Sequence, residues 1–558
     1  MKCFFKTVII ALCTALLFSS CTEKKIKLQE KVKGYYIGTT IKPKNQLHSK
    51  DKIIIGINEV KGKFNPMYAD SVGDMEICKL LFSSLISVNK NGDIILEAAE
   101  SYKINDYGNT FDFKLKKGIK FSDGSELTAE DVAFTYEAFC DPSYKGMYSN
   151  EFYDLCGFHS FKQGNAKNIV GIRVIDKYNI SFSFNDANFL RIYSFDKFIL
   201  PKSHYYFSKG KLDASNYINK RPIGSGAYKF IASMNEEVSL DSNENYFKGC
   251  PKIAKVTVKK CSGNEALKYI GSGEVDMIKT SVNADTLNYL KSVDNLKLYT
   301  YGSNCYQYIG FNLRLDKFKD KGVRQALNYA LNKEEFIKNY CSGYGSYNIP
   351  FLKFDTEDGI NEYKHDLEKA ARLMKEAGFE KREDGFLHNS KGEKFTIKWS
   401  TYEGNQYGEE LKKQVLKDWG KLGIDVTVEK KTFENLVNQV YENQDFEMYN
   451  MCWRLNCSQD PLIIFSKEES EKGGNNAVGW INEKSDILIK KAFKEKDDNK
   501  KKNIYKELAK IIKEEVPYIF LNNGMEAWVV NERVKGLTEA EYKDWVEDLY
   551  NIQLKSDI

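Results

Sequence analysis

Histidine is scarce in this chain. Five occur in 558 residues (His48, His159, His204, His365 and His388). None falls into an HxxH or HExxH spacing, so a helix-borne zinc hydrolase site has no basis. Cys452 and Cys457 stand five apart with no CxxC near them, which removes a zinc-finger reading as well. No GxSxG elbow is present for an esterase. The stretch Gly224-Ser225-Gly226-Ala227 is followed by no Lys-Ser/Thr and completes no GxGxxG, so it reads as a tight turn and not as a phosphate loop. Carboxylate pairs such as Glu514-Glu515 sit at helical, solvent-like spacing and give a glycosidase no support. A Ser/His/Asp triad needs no adjacency in sequence, but scattered histidines offer no cluster that points to one. The chain is therefore expected to hold no metal and no cofactor, and not to be an enzyme.

A membrane-spanning run is absent too. The stretch from Thr7 to Phe18 carries no charge, yet twelve residues make only ~18 Å of helix against a ~30 Å hydrocarbon core. With Met1, Lys2 and Lys6 before it and small residues after it, residues 1–20 read as a signal peptide. Leu17-Phe18-Ser19-Ser20-Cys21 resembles the lipobox of bacterial lipoproteins, in which the cysteine is lipidated and becomes the mature first residue. Two or more acyl chains anchor a protein stably where one does not. The resemblance implies lipidation at Cys21, a polar tether over residues 21–51 with a reach of roughly 30 Å, and an extracytoplasmic protein held to the membrane by its lipid.

Net charge is small: 83 Lys and Arg against 78 Asp and Glu, a formal +5 that includes Lys2 and Lys6. That balance leaves no electrostatic footprint for nucleic acid. Of twelve cysteines, Cys3 and Cys13 belong to the leader and Cys21 is assigned to lipid; the odd number that remains argues for free thiols in a reduced or oxygen-poor setting over a disulfide framework. Aromatics are plentiful at 13%. Core packing and codon usage account for most of them, and a cleft walled with amphipathic rings is the functional alternative.

Along the chain, "KIIIGINEV" (52–60) reads as a strand, and "DMEICKLLFSSL" (74–85) as an amphipathic helix with Asp74 as N-cap. "TFDFKLKKGIKF" (110–121) reads as a strand pair turning at Gly118. "TAEDVAFTYEAF" opens a helix capped by Thr128, with Asp131 completing the capping box. "GIRVIDKYNISFSF" (171–184) gives two strands around a turn at 176–179, and the block 222–260 is strand-rich. From about Tyr308, helices (322–340, 366–379, 409–423) alternate with short strands such as "IDVTVEK", which implies a parallel or mixed sheet packed by helices.

One stretch, "GIKFSDGSELTAEDVAFTYEAF" (118–139), resembles the signature of the family 5 extracellular solute-binding proteins, the oligopeptide- and dipeptide-binding proteins of bacterial ABC importers. Further matches follow in family order: "RPIGSGAYKF" (221–230), "NENYFKGCPKI", "YIGFNLRLDKFKDKGVRQALNYALNKEEF" (308–336), "EKAARLMKEAGF", "KLGIDVTVE" and "WRLNCSQDP". The resemblance implies an α/β, two-lobed clamp of the periplasmic-binding-protein-like type II, with an extra domain in the first lobe. The expected parts are a first-lobe core over 52–75, 200–301 and 520–558, an extra domain over 76–199, and a second lobe over 302–519. The chain would cross between lobes near 301–312 and 517–523. The implied partners are an oligopeptide ligand and the permease and ATPase subunits of the importer, with the protein itself a monomer.

Ligand residues carried over from the family fall on Asp70 and Val72, after Asn65-Pro66, and on Trp453 as the wall of the cleft. Capping of the following helix is the equal alternative for Asp70 and Val72. The position of the aspartate that pairs with a peptide's α-amino group is Asn456 here, and the arginine for its carboxylate falls near Tyr402. Arg454 supplies a cation next to Trp453, though strand alternation turns it to the other face. Both readers of short-peptide termini are thus missing. Either a longer peptide is held through its backbone, or the ligand is a metal chelate, haem or an oligosaccharide on the same scaffold. A receptor that senses peptide without importing it is the third reading.

Overall fold

The computed structural model describes residues 51–89, 93–146, 148, 151–212, 217–340, 342–343, 363–454, 462–537, 549 and 552–555. Cys21 with the signal and tether, and Asn456 in the site, lie outside the described residues.

One mixed sheet of ten strands organises the chain. Its order is Asp425–Lys431, Thr396–Tyr402, Met448–Arg454, Leu296–Phe311, Tyr518–Asn531, Met277–Ser281, Lys52–Ile57, Lys255–Lys260, Glu237–Ser242, Tyr228–Met234. Lys52–Ile57 lies parallel to both its neighbours. Its sequence KIIIGI is almost wholly apolar, as a strand covered on both faces must be, and Ile53 and Ile55 are fully buried. The two longest strands, Leu296–Phe311 and Tyr518–Asn531, run antiparallel through the middle of the sheet. Their register shifts between Gly302 and Tyr306; on one side Tyr518–Asn531 meets Met277–Ser281, and on the other Leu296–Phe311 meets Met448–Arg454. The chain thus passes twice through the same place, and the sheet on either side is joined through that strand pair.

Residues 99–183 form a separate four-stranded antiparallel sheet, in the order Ala99–Ile104, Thr110–Leu115, Asn179–Ser183, Ile172–Asp176. Helix Ala129–Phe139 carries the expected capping box, with the Asp131 carboxylate accepting the Thr128 backbone N–H at 2.9 Å. The strand pair expected over 110–121 is not formed. The chain turns at Gly118 (φ +77°), and Lys120 makes only an isolated bridge to Glu126. Thr110–Leu115 pairs instead with the strands on either side of it.

Three local expectations are corrected. Helix Val72–Leu81 is capped by Ser71, whose Oγ accepts the Asp74 N–H at 3.1 Å. Asp74 turns the other way and accepts the backbone N–H groups of Lys61, Gly62 and Lys63 at 3.0–3.2 Å, fixing the loop that precedes the helix. The helix expected over 322–340 is two, Lys321–Ala330 and Lys333–Tyr340, because Asn332 accepts the Glu335 N–H and restarts the chain. Gly224 and Gly226 are needed for close approach and not for a turn: a Cβ on them would stand 2.1 Å from the Leu81 carbonyl oxygen and 2.4 Å from that of Leu80. Among the described residues Cys78, Cys140, Cys156, Cys250, Cys261, Cys305 and Cys452 are free thiols, and no helix is long and apolar enough to cross a membrane.

Lys333 lies buried at the start of its helix, its ammonium donating to Asn328 Oδ1 at 2.5 Å and standing over the Tyr363 ring. Burial alone pulls its pKa down to about 7. An unfolded lysine keeps its proton to about 10.4. Between those values unfolding takes up a proton, so stability rises with pH. The expected gain from this group is ~2 kcal/mol between pH 7 and 9. Denaturant unfolding of Lys333→Met across that range is expected to lose this slope; an unchanged slope would refute the assignment.

Candidate functional site

The strand pair that crosses the middle of the sheet carries an aromatic crevice. Tyr306 stands directly opposite Trp453 across the ladder, and Tyr308 stands two residues further along the same face. Tyr518 joins from the neighbouring strand, its ring 5.3 Å from that of Tyr308 in T-shaped contact. Ile464 closes the set, and these five side chains line a crevice with no room for a water molecule. Phe520 packs on Tyr306 at 5.6 Å and Tyr449 on Tyr308 at 5.8 Å, so the rings are held from behind.

The polar atoms here are phenols. Tyr308 and Tyr441 share a hydrogen bond at 3.1 Å between hydroxyls, whereas the buried Tyr306 hydroxyl has no partner among the described residues. Burial pushes the pKa values of Tyr306, Tyr308 and Tyr518 well above the usual phenol range. The three therefore stay neutral and offer one weak donor and acceptor each. Trp453 is half-buried, leaving part of its ring accessible. Tyr306, Tyr308, Tyr518 and Ile464 are buried, so of this set Trp453 is the ring that a ligand can reach, and the others hold it without charge.

Asp70 lines a different cavity, of about 370 Å³, with Lys63, Tyr68, Ser143 and Lys145. Lys63 Nζ stands 2.5 Å and Lys61 Nζ 3.5 Å from its oxygens. The Lys63 hydrogen bond, and then the charges of both lysines, hold the Asp70 carboxyl below its ordinary range. A carboxylate already serving two ammonium groups is a poor receptor for a third, and the cavity mouth is cationic on balance. Val72 is the first residue of its helix and stays exposed. Tyr402 ends strand Thr396–Tyr402 with its ring in T-shaped contact with Phe433 at 5.2 Å. Arg454 pairs with Cys305 in the ladder, one position beyond the Trp453–Tyr306 pair, so its place in the register is on the face opposite the crevice. Among the described residues no cluster of His, Cys, Asp and Glu is arranged to hold a metal ion.

Residues 93–473 match the family described as "Bacterial extracellular solute-binding proteins, family 5 Middle". The chain belongs to family 5 of the extracellular solute-binding proteins. It is similar to the oligopeptide-binding protein AppA of Bacillus subtilis (strain 168), 29% identical over 505 residues that make up 88% of each chain. The solved structure of AppA from Bacillus subtilis in complex with a nonapeptide matches with TM-score 0.73 and 28% identity, covering 90% of this chain and 98% of that one. NikZ from Campylobacter jejuni, in complex with Ni(L-His), shares the fold with TM-score 0.73 at 24% identity, covering 91% and 100% of the two chains.

Family 5 proteins are extracytoplasmic substrate-binding components of transport systems, not enzymes, and their two-lobed α/β clamp is the architecture of this chain. Within that clamp the ladder brings Trp453 together with Tyr306, Tyr308, Tyr518 and Ile464, four residues that sequence reasoning did not single out. Tyr306 and Tyr308 show the period of two that puts both on one face of a strand. Nothing in the sequence, though, states which strand they pair with.

Proposed function

We propose that this chain is the membrane-anchored receptor of an ABC importer and captures oligopeptides between its two lobes. The observation that carries the reading is the uncharged aromatic crevice of Trp453, Tyr306, Tyr308 and Tyr518 on the strand pair that links the halves of the sheet. The likeness to a relative whose structure is in complex with a nonapeptide supports it. The part-exposed Trp453 ring, backed by uncharged rings, contributes area to a peptide of any sequence, and the peptide's main chain supplies the hydrogen bonds. The first lobe would comprise 52–75, 200–301 and 520–558, with the extra domain over 76–199, and the second lobe 302–519. Asp70, Val72, Tyr402, Arg454 and Asn456 are the further ligand contacts we propose outside the crevice. The cationic surroundings of Asp70 make its cavity a site for an acidic or neutral end of the ligand.

Capture works by closure only if the ligand touches both lobes, because only differential affinity shifts the open–closed equilibrium. The two strands 296–311 and 518–531 are the place for that bend, with the register shift at Gly302/Tyr306 absorbing it. Small-angle scattering is expected to show the radius of gyration fall when a nonapeptide is added to the monomeric protein; an unchanged radius at saturating peptide would contradict closure. Lipid at Cys21 would hold the clamp near its permease. Expression of Cys21→Ser is expected to release the protein to the medium or leave the leader uncleaved, read by fractionation. A processed, cell-bound variant would show that the anchor lies elsewhere.

A further inference from the structure

A second cavity, of about 250 Å³, lies away from the aromatic crevice, between helix Val72–Leu81 and the 99–198 region. Its walls are the rings of Phe82, Phe139, Tyr148 and Phe198, and charged pairs are set into them. Glu97 is 6% exposed; its Oε1 accepts both Ser87 Oγ at 2.9 Å and Lys248 Nζ at 2.6 Å. Lys197 donates to Asp196 Oδ1 at 2.6 Å and stands 2.9 Å from Glu151. Glu97, Lys248, Asp196 and Lys197 all line the cavity.

Burying charge is costly unless every ion is paired and hydrogen-bonded. Here the pairing is incomplete. Among the described residues Glu97 Oε2 and Asp196 Oδ2 accept no hydrogen bond from the protein. Among the described residues Lys248 donates only to Glu97, so its ammonium has protons to spare. Burial pulls the Lys197 pKa down, but Asp196 and Glu151 outweigh that and hold the group charged. Lys79 lines the cavity too, but its ammonium is paired with Glu76 at 3.6 Å. Two anionic acceptors and two ammonium donors therefore face one small space, and the rest of the wall is aromatic, aliphatic and serine. A ligand carrying a net charge would leave one sign unmatched; a purely apolar one would strand both.

We propose that this cavity is a binding site for a small zwitterion with an apolar body, the chemistry of a free α-amino acid, separate from the interlobe peptide site. The ligand's ammonium group meets Glu97 and Asp196, its carboxylate meets Lys248 and Lys197, and its side chain lies among Phe82, Phe139 and Phe198.

The test titrates L-phenylalanine by calorimetry into the full mature chain already saturated with a nonapeptide. One L-phenylalanine per chain is expected. Val88→Trp, which fills the cavity from the rim of strand Ile86–Val88, is expected to abolish it while leaving nonapeptide affinity within twofold. Glu97→Gln, a smaller change that keeps the side chain's shape, is expected to weaken it tenfold or more with the thermal midpoint followed in parallel. No heat at millimolar L-phenylalanine would overturn the proposal. So would binding that the nonapeptide displaces and Val88→Trp spares, since that places the amino acid between the lobes. Should the nonapeptide itself not bind, the same titration on the free protein and on Val88→Trp still decides the cavity, because the two sites share no residue.

Discussion

Trp453→Ala is expected to weaken nonapeptide binding ten- to hundredfold, about 1.4–2.7 kcal/mol. The half-buried indole is the largest ring of the crevice, and removing it strips the area that a peptide backbone would cover. Because Trp453 stands opposite Tyr306 in a regular ladder, the strand itself does not depend on the ring. The thermal midpoint of the free protein should therefore move little, while the calorimetric affinity falls. Loss of stability in proportion to loss of affinity would mean that Trp453 is core, and affinity within twofold of the parent would mean that the ligand lies elsewhere.

Arg324→Ala is expected to cost about 3–5 kcal/mol of stability. The guanidinium is 3% exposed and has no carboxylate in close bidentate contact. It donates instead to four backbone carbonyls: Phe318 at 2.7 Å, Lys319 at 2.8 Å, Glu515 at 2.6 Å and Val516 at 3.1 Å. The last two end helix Asp498–Glu515, where Val516 takes a left-handed conformation (φ +46°) and the chain enters the crossing strand Tyr518–Asn531. Alanine would leave those carbonyls without donors in a buried place and open a cavity besides. Arg324→Lys keeps the charge but replaces a planar fork with a single ammonium, so it should recover only part of the loss. Denaturant unfolding of the two variants checks this; equal stability of Arg324→Ala and the parent would show that the carbonyls find other partners.

The elements that were legible in the sequence owe their form to local chemistry. Thr128 and Asp131 cap their helix because a capping box is complete within four residues, and KIIIGI forms a doubly covered strand because everything after Lys52 is apolar. What was not legible was decided at a distance. Ser71 and Asp74 are both good caps three apart, and only the backbone of residues 61–63, which claims the Asp74 carboxylate, leaves Ser71 to the helix. In the site, Trp453 could be placed by its family position. Tyr306, Tyr308 and Tyr518 could not, because they meet through the register of strands about 200 residues apart in sequence. Asp70 was legible as a position and not as a charge: the two lysines that neutralise it sit on a loop whose path is set by Asp74.

The most direct measurement is native mass spectrometry of residues 22–558 purified from the source cells, with mild denaturation and sequencing of what is released. Peptides of mixed sequence, bound one per chain and absent from Trp453→Ala, are the predicted result. A single non-peptide species, such as a metal chelate or an oligosaccharide, would contradict peptide capture.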